Sequence, residues 1–509
     1  MSVVAHPATI DMPWQAGSML RALLPGAGLV LFCGVLFFPG LGNRDLTSSH
    51  EARAAQNAQM ILDEGHWLVP QLFDRHLELQ KPPLYYWLVA LIAWGRGGVV
   101  DPWAVRLPAA LSALACVLFL YVLGAQSKRP LAGLLAGLIL ASSLHFTWLA
   151  RVGRIDMPLT LSITVALGSL YLGTLPDAVK FRWHALGYTS LGLGLLLKGP
   201  IALVLPAVVI GSAWLLRDRR LHLRSLSLVW GVPLMLAIAA PWYVWANIHT
   251  ENQLWEVFFW YHNVERGLGG SEVLKAYSWW FYLPQMLFDL LPWILVLPAA
   301  LYGFCRYQEL RKDDAACLGL IWFGAVTLFL SCMSFKRADY LLPAYPGMAL
   351  FLGVCAERGW QQCSEQTRYA KKLIAAGLCI FVLYAAGWQV HNLWLVPAEE
   401  GAWPYRAMAQ EIRRQTPGPV IFFRAESHLL MHHLGKPVDT ILEWENLEWW
   451  VKRPRPVYFV MPENCAGVWR EHLPSGSLEE VLRTADYPVG KHDRPLVVLR
   501  SRGTLAANP

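Results

Sequence analysis

Charge is what this sequence has least of. Asp, Glu, Lys and Arg make up 16% of the 509 residues, against roughly 25% in an average soluble domain. With 55% hydrophobic residues, that shortage excludes an ordinary water-soluble chain. The formal net charge of +7 is too small and too dispersed for a nucleic-acid partner. The nine cysteines (Cys33, Cys116, Cys305, Cys317, Cys332, Cys355, Cys363, Cys379 and Cys465) contain no CxxC pair and mostly sit in apolar runs. They read as packing residues, not as disulfides or metal ligands. No cleavable signal is evident, and the run from Leu20 to Phe38 reads as a first span that stays in place. An internal repeat is also lacking, which argues against transporters built from repeated, interrupted helices.

What is present is a series of long apolar runs with short charged breaks. A helix needs about 20 mainly apolar residues to cross the hydrocarbon core. Spans are expected near 20–40, 106–125, 131–149, 157–175, 184–197, 200–216, 225–245, 284–304, 315–334, 340–357 and 373–391, about eleven in all. Pro83 to Trp94 is too short and reads as an interfacial or re-entrant helix. The 25 tryptophans suit indoles at headgroup level. One set of breaks carries Lys128 and Arg129, Lys180 and Arg182, the Arg217 to Arg224 cluster, Arg306 to Lys312, and Arg358 to Lys372. Positive-inside bias makes these cytoplasmic. With an odd span count the N-terminus is then cytoplasmic and the C-terminal tail periplasmic. The tail shows strand-like runs, Val420–Phe423, Val457–Met461 and Leu496–Leu499, between turn residues. The expected architecture is an all-α polytopic membrane domain over 1–395, with long outer loops at 41–105 and 246–283, then a small soluble α/β domain over 396–509.

The outer breaks hold the unusual polar groups: Glu51 and Arg53, Gln80 and Lys81, Arg151, Arg154 and Asp156, Lys198, His262 and Arg266, then Lys336, Arg337 and Asp339. A charge at a span end is costly unless it is paired, hydrated or functional. Mixed cations and carboxylates on one face suit chemistry on a charged headgroup. Each also has an ordinary role. Ser48 and Glu51 have capping-box spacing. Lys81 could snorkel, although Pro82 and Pro83 fix the backbone beside it at a defined depth. Asp156 could close a salt bridge with Arg151 or Arg154. A lone histidine such as His262 is more often structural than a metal ligand. Lys198, in the tight turn Lys198-Gly199-Pro200, is harder to dismiss, since a bare lysine there wants an anion.

The collinear set Arg44-Asp45-Leu46…Glu51-Ala52-Arg53, Gly65-His66-Trp67-Leu68-Val69-Pro70, Lys81-Pro82-Pro83-Leu84, Ile155-Asp156-Met157-Pro158, Lys198-Gly199, Phe258-Phe259-Trp260…Arg266, Leu291-Pro292-Trp293 and Lys336…Tyr340-Leu341-Leu342-Pro343 resembles bacterial C-type membrane glycosyltransferases. The aminoarabinose lipid A transferases are the nearer likeness and the protein O-mannosyltransferases the more distant one. The resemblance covers about residues 20–360 and implies a bacterial inner-membrane enzyme of the C-type fold. Its donor would be an undecaprenyl-phosphate sugar, and its periplasmic cavity would have Arg53, Lys81, Lys198, Arg266, Lys336 and Tyr340 around the carrier phosphate. Cations there would stabilise the departing phosphate, while Glu51 or Asp156 would take the proton of the acceptor hydroxyl in an inverting attack.

Two departures matter. Relatives usually carry Asp-Glu where this chain has His50-Glu51, and often Glu-Lys-Pro where it has Gln80-Lys81-Pro82. That weakens the case for a divalent metal, and no metal ligands or other cofactor are assigned; His50, Gln80 and His262 remain as further site candidates. The acceptor, whether lipid, protein or glycan, is left open. The alternatives to transfer are a non-catalytic relative that binds lipid-linked sugar, and a lipid or solute transporter.

Overall fold

Backbone polar groups have no water to turn to inside a bilayer, so apolar runs of this kind must be helical, and they are. The computed structural model describes residues 16–217, 226–265, 276–363, 367–400, 405–425, 427–435, 437–483 and 495–502. Its first part contains α1 (Ala16–Phe37), α2 (Ser49–Glu64), α3 (Leu84–Trp94), α4 (Pro102–Gln126), α5 (Pro130–Ala141), α6 (Leu144–Leu149), α7 (Asp156–Leu172), α8 (Lys180–Lys198), α9 (Ile201–Arg217) and α10 (Leu228–His249). A π-helical segment, Trp255–Glu265, follows. Then come α11 (Tyr282–Asp289), α12 (Leu297–Arg306), α13 (Gln308–Lys312), α14 (Asp314–Cys332), α15 (Tyr345–Cys363) and α16 (Thr367–Val390). A 3-10 segment, Ala338–Ala344, leads into α15.

Helices stand at all the expected span positions, but two of the expected spans are broken. The run 131–149 is interrupted at Ser142 and Ser143, whose hydroxyls donate back to the carbonyls of Leu138 (2.6 Å) and Ile139 (2.9 Å). Such back-bonding competes with the helical ladder. The run 284–304 bends by 110° between its limbs Trp279–Asp289 and Trp293–Arg306. Among the described residues, five helices are long and apolar enough to cross a membrane, or six if the bent pair counts as one. Shorter apolar helices, α7 and α9 among them, fill the rest of the bundle.

Close packing of α4 on α5 depends on glycine. A Cβ on Gly124 would lie 2.4 Å from the Cα of Gly133, so any side chain there would push the two helices apart. Glycine at both positions lets the backbones touch, as small residues do at helix contacts in membranes.

The C-terminal part forms a five-stranded sheet of β1 (Val420–Phe423), β2 (Asp439–Ile441), β3 (Tyr458–Pro462), β4 (Leu478–Arg483) and β5 (Leu496–Ser501). The order is β2-β1-β3-β5-β4, with β2, β1 and β3 parallel and β5 antiparallel to both its neighbours. Strand β1 is buried along its whole length, as suits a parallel strand covered on both faces. One face of the sheet shares a continuous apolar cluster with α2 and α3, which joins Ala52, Ala55 and Tyr86 to Leu430, Tyr458 and Val498. Gln56 of α2 donates to the carbonyl of His428 at 2.7 Å and accepts from the amide of Phe73. The sheet is thereby docked on the first helix within the first long loop.

Candidate active site

Small residues set the position of α2. Ala52, Ala54, Ala55 and Ala58 are all buried, so the helix packs tightly on both sides. Ser48 caps it by accepting from the amide of Glu51 at 3.3 Å, the interaction its spacing suggests. The same helix turn presents His50 and Arg53 to a cavity, while Glu51 faces the opposite way.

The cavity has two adjoining chambers. One, of about 90 Å³, is polar and is lined by His50, Arg53, Gln80, Lys81, Arg154, Asp156, Lys198, Arg337, Asp339 and Tyr340 among others. The second, of about 200 Å³, has largely apolar walls that include Leu159, Ile201, Leu205, Phe258, Leu330 and Phe335. Gln80, Lys81, Asp156, Lys198 and Tyr340 line both. A row of polar groups thus sits where a water-like chamber meets an oil-like one.

Within that row Lys198 donates to Asp156 Oδ1 at 2.5 Å, and its ammonium lies 4.2 Å from the centre of the Tyr340 ring. Asp156 opens α7, so the positive end of a helix dipole backs its carboxylate. Lys81 lies 3.5 Å from His50 Nδ1. Burial, opposed by the carboxylates of Glu78 and Asp156 and helped by Arg53 and Lys198, pulls the Lys81 ammonium down to about 8. Burial, then Lys81, Arg154, Arg337 and Arg53, push the His50 imidazole far below its usual range, so it is neutral. Arg53 is held by Glu78 at 2.8 Å. Asp339 pairs with Arg154 and lies 3.7 Å from Arg337.

Two expectations change. Glu51 does not line either chamber. It is 1% exposed, and its carboxylate accepts from Arg106 (2.7 and 3.2 Å) and from the amides of Gly153 (2.9 Å) and Thr47 (3.2 Å). Burial alone would raise its carboxyl, but Arg106 and the two amides outweigh that and hold it below its ordinary value. Such a group is a strut between loops and a poor proton acceptor. Lys336 is also turned away, donating to the carbonyls of Tyr277 (3.0 Å) and Met333. Arg337 takes the place expected for it. Arg151 ties the end of α1 through the carbonyls of Phe37 and Pro39. His262 lines the apolar chamber. Arg266 lies outside the described residues. Among the described residues no group of three His, Cys, Asp or Glu side chains could hold a metal ion, and the eight cysteines whose side chains are described are free thiols.

Arg106, Glu78, Arg154, Arg337 and Asp339 are the participants that residue-by-residue reading did not assign. Arg154, Arg337 and Asp339 stand out as charges at span ends. Arg106 and Glu78 are legible only through partners 55 and 25 residues away.

The architecture is that of the C-type membrane glycosyltransferases. Residues 80–245 match the family model described as dolichyl-phosphate-mannose-protein mannosyltransferase. Within that class the chain resembles the undecaprenyl phosphate-alpha-4-amino-4-deoxy-L-arabinose arabinosyl transferases. It is 31% identical over 333 residues to that of Pseudomonas fluorescens, covering 64% of this chain and 56% of the relative. Against that of Pseudomonas paraeruginosa the figures are 28% over 401 residues, 75% and 70%. The chain therefore spans little more than half to about two thirds of these relatives' own length. In three dimensions it is similar to ArnT from Cupriavidus metallidurans, solved with undecaprenyl phosphate, with a TM-score of 0.75 at 20% identity over 97% of this chain and 100% of that one. It is also similar to the archaeal oligosaccharyltransferase AglB from Archaeoglobus fulgidus, with a TM-score of 0.56 at 11% identity over 90% of this chain and 72% of that one.

Proposed function

We propose that the protein transfers a sugar from a polyprenyl-phosphate carrier to an acceptor hydroxyl or comparable nucleophile at the periplasmic face of the bacterial inner membrane. The single observation that carries this is the shared row at the junction of the two chambers. A lipid-linked sugar has an oily chain, an anionic phosphate and a polar sugar in that order. The apolar chamber, the Lys81 and Lys198 junction and the polar chamber follow the same order. The curated relatives act, by their names, on undecaprenyl-phosphate-linked aminoarabinose, which supports the donor class. The proposed topology has a cytoplasmic N-terminus, about eleven crossings and a periplasmic sheet domain after residue 395.

In the proposed reaction Lys81 and Lys198 hold the carrier phosphate, with Tyr340 beside them. Arg154 and Arg337 add positive potential from the far wall, and Arg266 is assigned a place beside the phosphate on resemblance alone. Asp156 accepts the proton as the acceptor oxygen bonds to the anomeric carbon. The bond from that carbon to the phosphate oxygen breaks with both electrons leaving on the phosphate. Preorganised cations in a water-poor pocket stabilise that growing charge. A single attack of this kind inverts configuration. His50, neutral and next to Lys81, orients the acceptor and leaves the cationic charge in place.

The test is mass spectrometry of lipids retained by purified wild type and by Lys81→Ala. Polyprenyl phosphate or its sugar adduct should be bound by wild type and lost in the variant. A folded wild type that binds neither its own nor added undecaprenyl phosphate would sink the reading.

The position of Lys81 also sets a pH dependence. Its ammonium is held near 8, so the donor-free protein loses this cation as pH rises through about 8. The donor kcat/KM, which reports the free enzyme, should fall on that alkaline limb. In Lys81→Arg the guanidinium stays charged, so the limb should move to higher pH. An unmoved limb would mean that another group sets it.

The two neighbours Lys336 and Arg337 should separate cleanly. Lys336→Met should lower the melting temperature and leave the donor KM of the folded protein alone, because its bonds are to backbone carbonyls. Arg337→Ala should raise the donor KM with little change in melting. The reverse pattern would return Lys336 to the donor site.

A further inference from the structure

A larger cavity, of about 630 Å³, lies at the opposite end of the bundle. It opens between α12 and α15, beside α13. Arg358 of α15 stands 13 residues beyond Tyr345, the first residue of α15, which places it about 20 Å along the helix axis from the catalytic end.

Small residues create the opening. Ala300 and Gly303 of α12 face Ala356 and Gly359 of α15 across it. A Cβ on Gly359 would meet nothing within 4 Å, and one on Gly303 nothing closer than 3.9 Å. These glycines therefore do not serve close packing, as Gly124 does; they leave a slot. On the flank of a membrane bundle, hydrocarbon fills such a slot. The exposed Tyr302 and Tyr307 near it (70% and 50%) are of the type that marks the membrane–water boundary.

Charge closes one end. Arg306 and Arg358 both line the cavity. Among the described residues Arg306 makes no ion pair. The ion pair of Arg358 is a loose one, 3.7 Å from Glu309, whose side chain is 78% exposed, and its buried Nε has no hydrogen-bond partner. Two guanidinium groups at the mouth of an apolar slot call for an anion that carries a chain.

We infer that this cavity is a binding site for an anionic glycerophospholipid of the cytoplasmic leaflet, with the headgroup phosphate between Arg306 and Arg358 and an acyl chain in the slot between α12 and α15. The catalytic chambers share no residue with it, and no transfer chemistry is assigned to it. It would anchor the second limb of the bent pair to α15, coupling bundle rigidity to the leaflet's anionic lipid.

The test is native mass spectrometry during stepwise delipidation from mixed phosphatidylglycerol and phosphatidylethanolamine. Wild type should retain phosphatidylglycerol preferentially. Removing two charge-assisted contacts in R306A/R358A should cut that retention by roughly tenfold or more. Gly359→Phe, which fills the slot and keeps both arginines, should do the same. Polyprenyl phosphate in the catalytic chamber, read in the same spectra, checks that both variants are folded. Equal retention of the two phospholipids by wild type would overturn the proposal. So would unchanged retention in both folded variants, or displacement of the lipid by inorganic phosphate, which would mark a free-anion site.

Discussion

Asp156→Asn is expected to cut kcat by roughly 10²–10⁴, the usual contribution of a positioned general base, while donor affinity is maintained or improved. The carboxylate bonds Lys198 at 2.5 Å and lines both chambers. An amide keeps the shape but cannot take the proton of the acceptor. It also no longer competes for the Lys198 ammonium, which is then freer to meet the carrier phosphate. Loss of turnover without loss of donor binding is therefore the signature of a base. Single-turnover measurement with pre-bound donor would read it directly. Parallel loss of donor binding and turnover would mean that Asp156 holds the cavity together and the base is another group. Unchanged turnover would remove it from the chemistry altogether.

The second large effect lies outside the cavity. Glu51→Ala or Arg106→Ala is expected to destabilise the protein by about 3–5 kcal/mol, because each leaves a buried charge without its partner. That is a large share of the 5–15 kcal/mol that holds a typical domain folded. Both side chains are almost fully buried, at 1% and 2% exposure. Arg106 also donates to the carbonyls of Leu41, Arg44 and Asp45, so its loss would release the whole entry to α2. Low yield, a depressed melting temperature and rapid proteolysis between residues 41 and 48 are the expected observations. Replacing both partners with apolar residues of similar volume should cost less than either single change. A Glu51 variant with wild-type melting and no turnover would instead restore this carboxylate to catalysis.

Residue types at span ends carried much of the candidate site into view. Lys81, Asp156, Lys198 and Tyr340 come from four separate stretches and meet in one row, and each was conspicuous as a polar group where an apolar one is normal. The Lys336 assignment fails by one position for a geometric reason. Arg337 is extended, with φ −142° and ψ 148°, and successive side chains on extended backbone point to opposite sides. Which of the two faces the cavity depends on where α14 stops, and helix ends are the least legible feature of a sequence. Glu51 is misassigned for another reason. Its type and position suit a catalytic carboxylate, yet its partner Arg106 sits inside an apolar helix, and only the fold brings them together. The break at Ser142 and Ser143 is similarly hidden, since the run 131–149 is mostly apolar on both sides of it and hydropathy reads straight through.

The docking of the sheet on α2 fixes when in its own synthesis this protein becomes competent. Gln56 and His428 are 372 positions apart, so the helix bearing His50 and Arg53 lacks its supporting wall until the ribosome has passed His428 and the strands around it. A nascent protein with every membrane helix inserted would still have an unfinished cavity. The cavity is then completed only after the distal segment has emerged and folded back onto the first loop. A polypeptide interrupted before that point would leave α2 without the sheet that backs it, and the chamber bordered by His50 and Arg53 without one of its supports.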